Sequence, residues 1–372
     1  MTGRSRPLAV VAGLLLALAL PAVPAKADAV RDGEWHLAFL DMARVHQVSQ
    51  GDGVTVAVID DGINGNHPDL VGNVLPGLSL LPSHPGNGWD DVDAHGTAMA
   101  GLIAGHGRNG GGDGVLGIAP RAKILPIQTM SGADPGTSEM DGAAVEAAVQ
   151  RGARVISISI GRSLSAALRD AVARAQRADV VIVAGAGNRP DSQVTWPARY
   201  DGVVAVAAVD RQGNHADISV TGRQVVIAAP GVDIKAADTG NGYGTGSGTS
   251  LSTAVTAGVV ALIRAKFPTM PATEVIHRLT ATAIDKGPKG RDDEYGYGIV
   301  NPYAALTADI PPLAASSSPT APATTTATTP PANASPRSGG SRTGVIIAVI
   351  AGAAIIATVV VIGLIRRRGA AT

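Results

Sequence analysis

Five short runs of almost continuous β-branched and aliphatic residues recur along the chain, at 54–59, 124–128, 155–160, 180–184 and 203–209. Runs without polar alternation are typical of strands that are covered on both faces. Segments with helical character lie between them, for example 140–151 and 164–177. Because strands that alternate with helices form parallel sheets, we expect an α/β fold. Its predominantly parallel β-sheet is predicted to be flanked by helices on both faces.

The two ends of the chain have the composition of targeting and membrane segments. Residues 1–27 combine two early arginines with an apolar run and a small-x-small site, which predicts a cleaved signal peptide. Residues 344–365 carry no charge and, at about 22 residues, are long enough for one C-terminal transmembrane helix. Because arginines fill 366–368, the basic tail at 366–372 is predicted to be cytoplasmic and the rest of the chain extracytoplasmic.

The segment before this predicted span, 311–343, is rich in Pro, Thr, Ala and Ser. Such a composition cannot bury enough apolar surface to offset the entropy of ordering, so we expect a semi-extended stalk. A short N-terminal extension at 28–51 and a globular domain at 52–310 remain. The domain is large enough to fold around one core.

Composition excludes several classes of function. The chain has no cysteine, so disulfides and thiolate–metal sites are ruled out. Its formal net charge is zero, and basic runs occur only near the termini, which argues against a nucleic-acid partner. We expect no cofactor and no metal site. Structural calcium lacks a clear ligand cluster, and Asp113 is a weak candidate ligand.

Four polar residues stand at the ends of predicted strands or the starts of predicted helices. Asp60 ends the first apolar run, His95 opens a helix, and Ser250 opens another after a Gly-rich run. A serine becomes nucleophilic when an imidazole takes its proton, and a carboxylate can orient that imidazole. Asn188 follows a buried strand, with an amide able to donate to an oxyanion. Together they predict acyl-transfer chemistry at one edge of the sheet.

Simpler interpretations remain open for several of these residues. Ser250 alone could be a helix N-cap, and Ser247 and Ser252 are weaker candidates for the nucleophile. Asp61 is more typical of a turn than of a catalytic role. The acidic cluster of Asp90, Asp91 and Asp93 could bind a cation, although a solvated loop is the preferred interpretation.

The segments around these residues resemble the subtilisin family of serine proteases. The matching stretches are 56–62, His95-Gly96-Thr97 and Gly248-Thr249-Ser250, in the family's own order. Weaker matches occur at 67–70, 114–120 and 296–298, so the resemblance runs from about residue 52 to 306.

The resemblance implies roles for individual residues. Asp60, His95 and Ser250 would form the catalytic triad, and Asn188 would donate to the oxyanion. Ser159, Ile160 and Gly161 would pair as an edge strand with the substrate backbone. Gly185 begins the segment, 185–195, that would build part of the pocket for the residue before the cut.

Within that family the layout is similar to the mycosins, membrane-anchored proteases associated with type VII secretion in actinobacteria. Two residues depart from the family pattern: Val92 stands where mycosins usually carry a cysteine, and Ala254 stands where the family usually has proline. The short extension at 28–51 is not a long inhibitory prosegment. We expect that folding does not require its removal.

The sequence therefore predicts a serine endopeptidase, single-pass in the cell membrane, that acts on protein or peptide substrates outside the cytoplasm. Secretion-complex subunits are the expected partners. Two alternatives stay open: a mainly structural component of a secretion complex with secondary proteolysis, and a free-standing cell-surface protease.

Overall fold

The computed structural model describes residues 29–91, 93–108 and 112–313. The predicted signal peptide, most of the stalk, the span at 344–365 and the tail at 366–372 lie outside the described residues. Among the helices that are described, none combines the length and the apolar character that crossing a bilayer requires.

The described residues contain eleven strands. In chain order they are β1 (Thr55–Asp60), β2 (Leu78–Ser79), β3 (His106–Arg108), β4 (Asp113–Leu116), β5 (Lys123–Gln128), β6 (Val155–Ile158), β7 (Val181–Gly185), β8 (Val204–Val209), β9 (Val225–Pro230), β10 (Ile234–Ala237) and β11 (Tyr243–Gly246). Seven form one sheet in the order β2-β5-β1-β6-β7-β8-β9, and every neighbouring pair in it is parallel. The expected parallel sheet is therefore confirmed.

Nine α-helices accompany these strands in the described ranges. They are α1 (Ala29–Gly33), α2 (Trp35–Phe39), α3 (Met42–Val45), α4 (His95–Ala104), α5 (Ser138–Gln150), α6 (Ala166–Arg177), α7 (Thr249–Lys266), α8 (Ala272–Ala281) and α9 (Pro302–Thr307). The buried residues of α4 and α7 belong to one core cluster, and those of α5 and α6 belong to a second. The prediction of helices on both faces of the sheet is confirmed.

Strand β1 explains why the sheet has two cores. Its side chains alternate between faces with the period of two that strand geometry imposes. Val56 and Val58 pack in the cluster of α4 and α7, whereas Ala57 and Ile59 pack in the cluster of α5 and α6. All four are apolar, so the strand is stable only when helices cover both of its faces.

Two details of the sheet differ from expectation. The run at 155–160 was predicted to be a strand throughout, but β6 ends at Ile158, so Ser159 and Ile160 lie beyond it. Strand β9, at the edge of the sheet, was not predicted. It ends in Pro230, which lacks the N–H that a central strand would need.

The N-terminal helices pack against the same core as α7. Trp35, Met42 and Val45 are buried in that cluster. The indole Nε1 of Trp35 donates to the carbonyl oxygen of Val232 at 3.0 Å, directly after β9. Helix α2 is thus joined to the segment that follows β9, at the carboxyl edge of the sheet.

Candidate active site

Asp60 is the last residue of β1 and lies at the carboxyl edge of the sheet, in register with Gln128 of β5. Its side chain is 1% exposed. Oδ1 accepts hydrogen bonds from the backbone N–H of Asp61 at 2.9 Å and from Nδ1 of His95 at 2.7 Å. A buried carboxylate is retained when such partners stabilise its charge. The short contact therefore fixes the tautomer of His95 with its proton on Nδ1.

His95 is the first residue of α4, and its side chain is 37% exposed. Asp61 and Asp91 bind the first turn of this helix. Oδ1 of Asp61 accepts from the N–H of Gly96 at 2.6 Å, and Oδ1 of Asp91 accepts from the N–H of Ala94 at 2.8 Å. Carboxylates there satisfy N–H groups that lack partners within the helix and complement its dipole. Asp61 and Asp91 thus hold the backbone on either side of His95 in position.

Two interpretations from the sequence need correction here. Asp61 is not a simple turn residue, because it is buried and holds the N–H of Gly96. Asp91 is not part of a freely solvated loop, because its Oδ2 binds both the N–H and the hydroxyl of Thr97. The contact of Asp91 is local, since Thr97 follows only six positions later. The contact of Asp61 was not visible in the sequence, because it depends on how closely α4 approaches β1. Gly96 allows that approach, since a Cβ at this position would collide with the carbonyl oxygen of Gly62.

The carboxylates determine the electrostatics around the imidazole. One carboxylate oxygen each of Asp60 and Asp61 and one ring nitrogen of His95 lie within 4.8 Å of one another. The charge of Asp60 raises the pKa of His95 against the opposing effect of burial, and Asp61 and Asp91 add to the rise. Burial raises the pKa of Asp61 itself, and the charges of Asp60 and Asp91 raise it further. Protonation of these groups is therefore coupled.

Ser250 is the second residue of α7, at the end of the helix where backbone N–H groups attract negative charge. Its hydroxyl donates to the carbonyl oxygen of Ser159 at 3.4 Å, a long bond. The hydroxyl of Ser159 in turn donates to the carbonyl oxygen of Ser250 at 3.3 Å. Among the described contacts of Ser250 there is no hydrogen bond to His95.

Asn188 lies beside the start of α7 and is held through Thr249, a residue that the sequence analysis did not single out. Oδ1 of Asn188 accepts from the N–H of Thr249 at 2.9 Å and from its hydroxyl at 3.2 Å. The same hydroxyl oxygen accepts from the N–H of Gly187 at 3.3 Å. These bonds to Oδ1 fix the orientation of the amide, whose Nδ2 group is its donor. The sequence shows a threonine before the serine, but nothing in it indicates that this threonine binds Asn188.

The space beside the amide of Asn188 depends on the glycine at position 248. A Cβ at Gly248 would lie 3.2 Å from Nδ2 of Asn188, tighter than ordinary packing. The φ angle of Gly248 is also 156°, at the edge of the range that favours glycine. The Gly-rich run before Ser250 therefore leaves space next to the donor.

The residues predicted to bind substrate do come together. One cavity, of 120 Å³, is lined by the predicted residues Ser159, Ile160, Gly161 and Gly185. Ser250 and Asn188 line the same cavity. His95 lines a neighbouring cavity of 270 Å³ with Met99, Gly246 and Leu251. The serine and the imidazole thus face adjacent cavities at the carboxyl edge of the sheet. Among the described contacts, His95 is joined to Asp60 and Asn188 to Thr249, whereas Ser250 is not joined to His95.

Similar proteins are known for most of this chain. The family model of Peptidase S8, the subtilase family, matches residues 51–298. Subtilisin DY from Bacillus licheniformis is 37% identical over 261 residues, which cover 69% of this chain and 92% of that protein.

Solved structures of MycP1 are also similar to this chain. The structure of MycP1 with its N-terminal propeptide removed has a TM-score of 0.67 and 31% identity, and the match covers 75% of this chain and 98% of that one. Another, with a TM-score of 0.66 and 31% identity over 74% of this chain and 88% of that one, is described as a serine protease and an essential component of the type VII (ESX-1) secretion system. The chain described here belongs to the subtilase family and is a subtilisin-like serine endopeptidase.

Proposed function

We propose that this protein is a membrane-anchored, extracytoplasmic endopeptidase whose catalytic triad is Asp60, His95 and Ser250. The observation that carries the proposal is the 2.7 Å contact between Nδ1 of His95 and the buried Oδ1 of Asp60. That contact leaves Nε2 of the imidazole as the acceptor for the proton of Ser250. Asn188 is proposed as the oxyanion donor, because Thr249 occupies its Oδ1.

The first half of the reaction forms an acyl-enzyme. The hydroxyl of Ser250 exchanges its long bond to Ser159 for one to Nε2 of His95, which takes the proton as Oγ attacks the scissile carbonyl carbon. Negative charge develops on the carbonyl oxygen, where Nδ2 of Asn188 and the N–H of Ser250 donate to it. As the C–N bond breaks, His95 gives its proton to the leaving amine.

The second half returns the enzyme to its starting state. Water gives a proton to His95 and attacks the acyl carbon, the ester bond to Ser250 breaks, and the serine recovers its proton. Asp60 keeps its charge throughout and stabilises the imidazolium formed in each half. The acyl part of the substrate is proposed to lie along Ser159, Ile160 and Gly161, with Gly185 in the wall of the pocket.

The cellular setting is proposed from the sequence. Residues 1–27 would direct export, 28–51 would form the N-terminal extension, 52–310 the protease domain and 311–343 the stalk. Residues 344–365 would anchor the protein, with 366–372 in the cytoplasm. The likeness to MycP1 supports a role in a type VII secretion system. Protein substrates and subunits of that machinery are the proposed partners.

The experiment compares wild-type full-length protein in detergent with Ser250→Ala, using casein as substrate. Loss of the nucleophile should lower turnover by about 10⁶-fold. Ser252→Ala is the matched control, because Ser252 lies on the same helix and donates to the carbonyl oxygen of Ala229 at 3.0 Å. It should keep its activity within a few-fold. Full activity in Ser250→Ala would contradict the proposal.

A structural role in secretion is tested in cells. Secretion by cells that carry Ser250→Ala is compared with secretion by cells that lack the whole protein. The proposal expects both to be defective. If Ser250→Ala alone secretes normally, the protein acts mainly as a structural component of the secretion complex.

A further inference from the structure

A third cavity lies beside the segment that precedes Ser250. Its volume is 480 Å³, and Ser247, three residues before Ser250, lines it. Most of its wall, 214–218, follows β8, and Val232 follows β9, so it lies at the same carboxyl edge of the sheet as Asp60. The reaction itself does not use these residues.

The wall of this cavity is joined directly to the proposed oxyanion donor. The residue after Asn188, Arg189, donates its N–H to the carbonyl oxygen of Ile218 at 2.8 Å. Asn188 itself forms an isolated β-bridge with Ser219. If the acyl half of a substrate lies along Ser159 to Gly161, as the proposed function requires, the leaving half continues past Ser250 toward this wall.

The lining combines apolar surface with acidic groups. Ile218 and Val232 supply apolar wall, and Asp210 and Asp217 supply carboxylates. Oδ1 of Asp210 is held by the N–H groups of Gln212 at 2.9 Å and Asn214 at 2.8 Å, so its position is fixed. Asp217 is exposed. This pattern matches a side chain with an apolar stem and a cationic head.

With the other charged groups beside the cavity included, the net charge around it stays negative. Asp233 accepts a hydrogen bond from the hydroxyl of Ser247 at 3.3 Å. His215 adds no cation at neutral pH, because burial lowers its pKa. Two guanidinium groups oppose them. Nε of Arg189 donates to the backbone carbonyl oxygen of Asp217 at 3.0 Å, and Arg211 lies over the ring of Trp35, whose indole binds the carbonyl oxygen of Val232. Among these groups, three carboxylates thus stand against two guanidiniums.

We propose that this acidic cavity makes the enzyme select substrates with Lys or Arg among the first three residues after the scissile bond. The aliphatic stem lies against Ile218 and Val232, and the cationic head lies between Asp210 and Asp217. Long-range attraction by several carboxylates also favours encounter with such substrates.

The test begins with full-length protein and casein, with cut sites mapped by mass spectrometry. A peptide that spans one of these sites is then made in two forms, with Lys or Gln at each of the three positions after the cut. The Lys form should have a kcat/KM about threefold to tenfold higher at one position, the size expected for a partly exposed ion pair. The preference should fall as salt is raised.

Two variants assign the preference to the cavity. Asp217→Asn should lower the Lys/Gln ratio about threefold and leave kcat/KM for the Gln peptide unchanged. Asp201→Asn is the matched control, since Asp201 precedes β8 at the opposite edge of the sheet, and the ratio should not change. Equal kcat/KM for both peptides at all three positions would overturn the inference. So would a preference that survives in Asp217→Asn and Asp210→Asn. Cleavage of no bond in casein would overturn the proposed function as well.

Discussion

Two halves of the candidate active site are held in position by different chemistry. In the half around His95, which we call the carboxylate half, ionisable groups make the contacts: Asp60 binds the imidazole, and Asp61 and Asp91 bind the first turn of α4. In the half around Ser250, the neutral half, Thr249 binds Asn188 through a hydroxyl and a backbone N–H.

The difference separates two tasks of the site. Charges in the carboxylate half set how tightly His95 holds a proton, so they control the pH range of activity. Neutral dipoles in the other half fix where donors point, so they control transition-state stabilisation at every pH. Substitutions in the carboxylate half should therefore change the pH at which activity falls. Substitutions in the neutral half should lower kcat without changing that pH.

The largest effect is expected from Asp60→Asn. The amide cannot stabilise the imidazolium, and it can leave His95 in the wrong tautomer, which lowers kcat by about 10⁴-fold. In the wild type, kcat/KM should fall as pH falls through the raised pKa of His95, because a protonated imidazole accepts no proton. In the variant the residual activity should fall off at lower pH. A profile of kcat/KM between about pH 5 and 10 measures both changes. The part of the profile in which kcat/KM falls as pH falls is its acidic limb. If this limb lay at the same pH in Asp60→Asn as in the wild type, the proposed role of Asp60 would be contradicted.

Asn188→Ala should lower kcat by about 10²- to 10³-fold, the usual effect of losing one oxyanion donor. The acidic limb should stay in place, because no charge is removed from His95. Since the N–H of Thr249 also loses its acceptor, thermal unfolding is measured in parallel. Asn188→Asp provides the control, because it keeps an acceptor for Thr249 without a donor. Higher activity in Asn188→Asp than in Asn188→Ala would contradict the assignment.

Thr249→Val should lower kcat by about tenfold with little change in KM, because the hydroxyl that orients Asn188 is removed while its backbone N–H remains. Thr256→Val is the matched control. Thr256 is a buried threonine of the same helix, and its hydroxyl donates to the carbonyl oxygen of Ser252 at 2.8 Å. Equal effects of the two substitutions on kcat would mean that Thr249 acts only through helix stability.

Asp61→Asn should have the smallest effect on rate. Asparagine can still accept from the N–H of Gly96, so the first turn of α4 keeps its position. Because the charge of Asp61 raises the pKa of His95, the acidic limb should move to lower pH by less than in Asp60→Asn. Burial raises the pKa of Asp61, so its ionisation costs stability as pH rises, and the variant should gain stability over the wild type at alkaline pH. A limb shifted to higher pH would contradict this.

Local sequence patterns were sufficient to predict much of the fold. The run that ends at Asp60 is apolar at every inner position, which identified a strand covered on both faces and put a carboxylate at its end. The edge strand β9 was not predicted, although its residues before Pro230 are all apolar. Pro230 is compatible with its position at the edge of the sheet. The predicted strand at 155–160 was too long, because Ser159 and Ile160 leave the sheet to line the cavity.

The candidate site also contains residues that the sequence could predict and residues that it could not. The four proposed catalytic residues could be named from their position at strand ends and helix starts. The residues that hold them could not. Asp61 binds the N–H of Gly96, 35 positions away in sequence, and Thr249 binds Asn188, 61 positions away. Such contacts depend on how α4 and α7 dock on the sheet, which no local pattern specifies.

The most direct test of the proposed triad is fluorophosphonate labelling of the full-length protein beside Ser250→Ala and His95→Ala. The probe reacts only with a serine that a base has activated. We expect labelling of the wild type alone. Thermal unfolding curves should show that all three proteins are folded before the probe is added. A folded wild type that takes up no label, or a Ser250→Ala variant that labels equally, would contradict it.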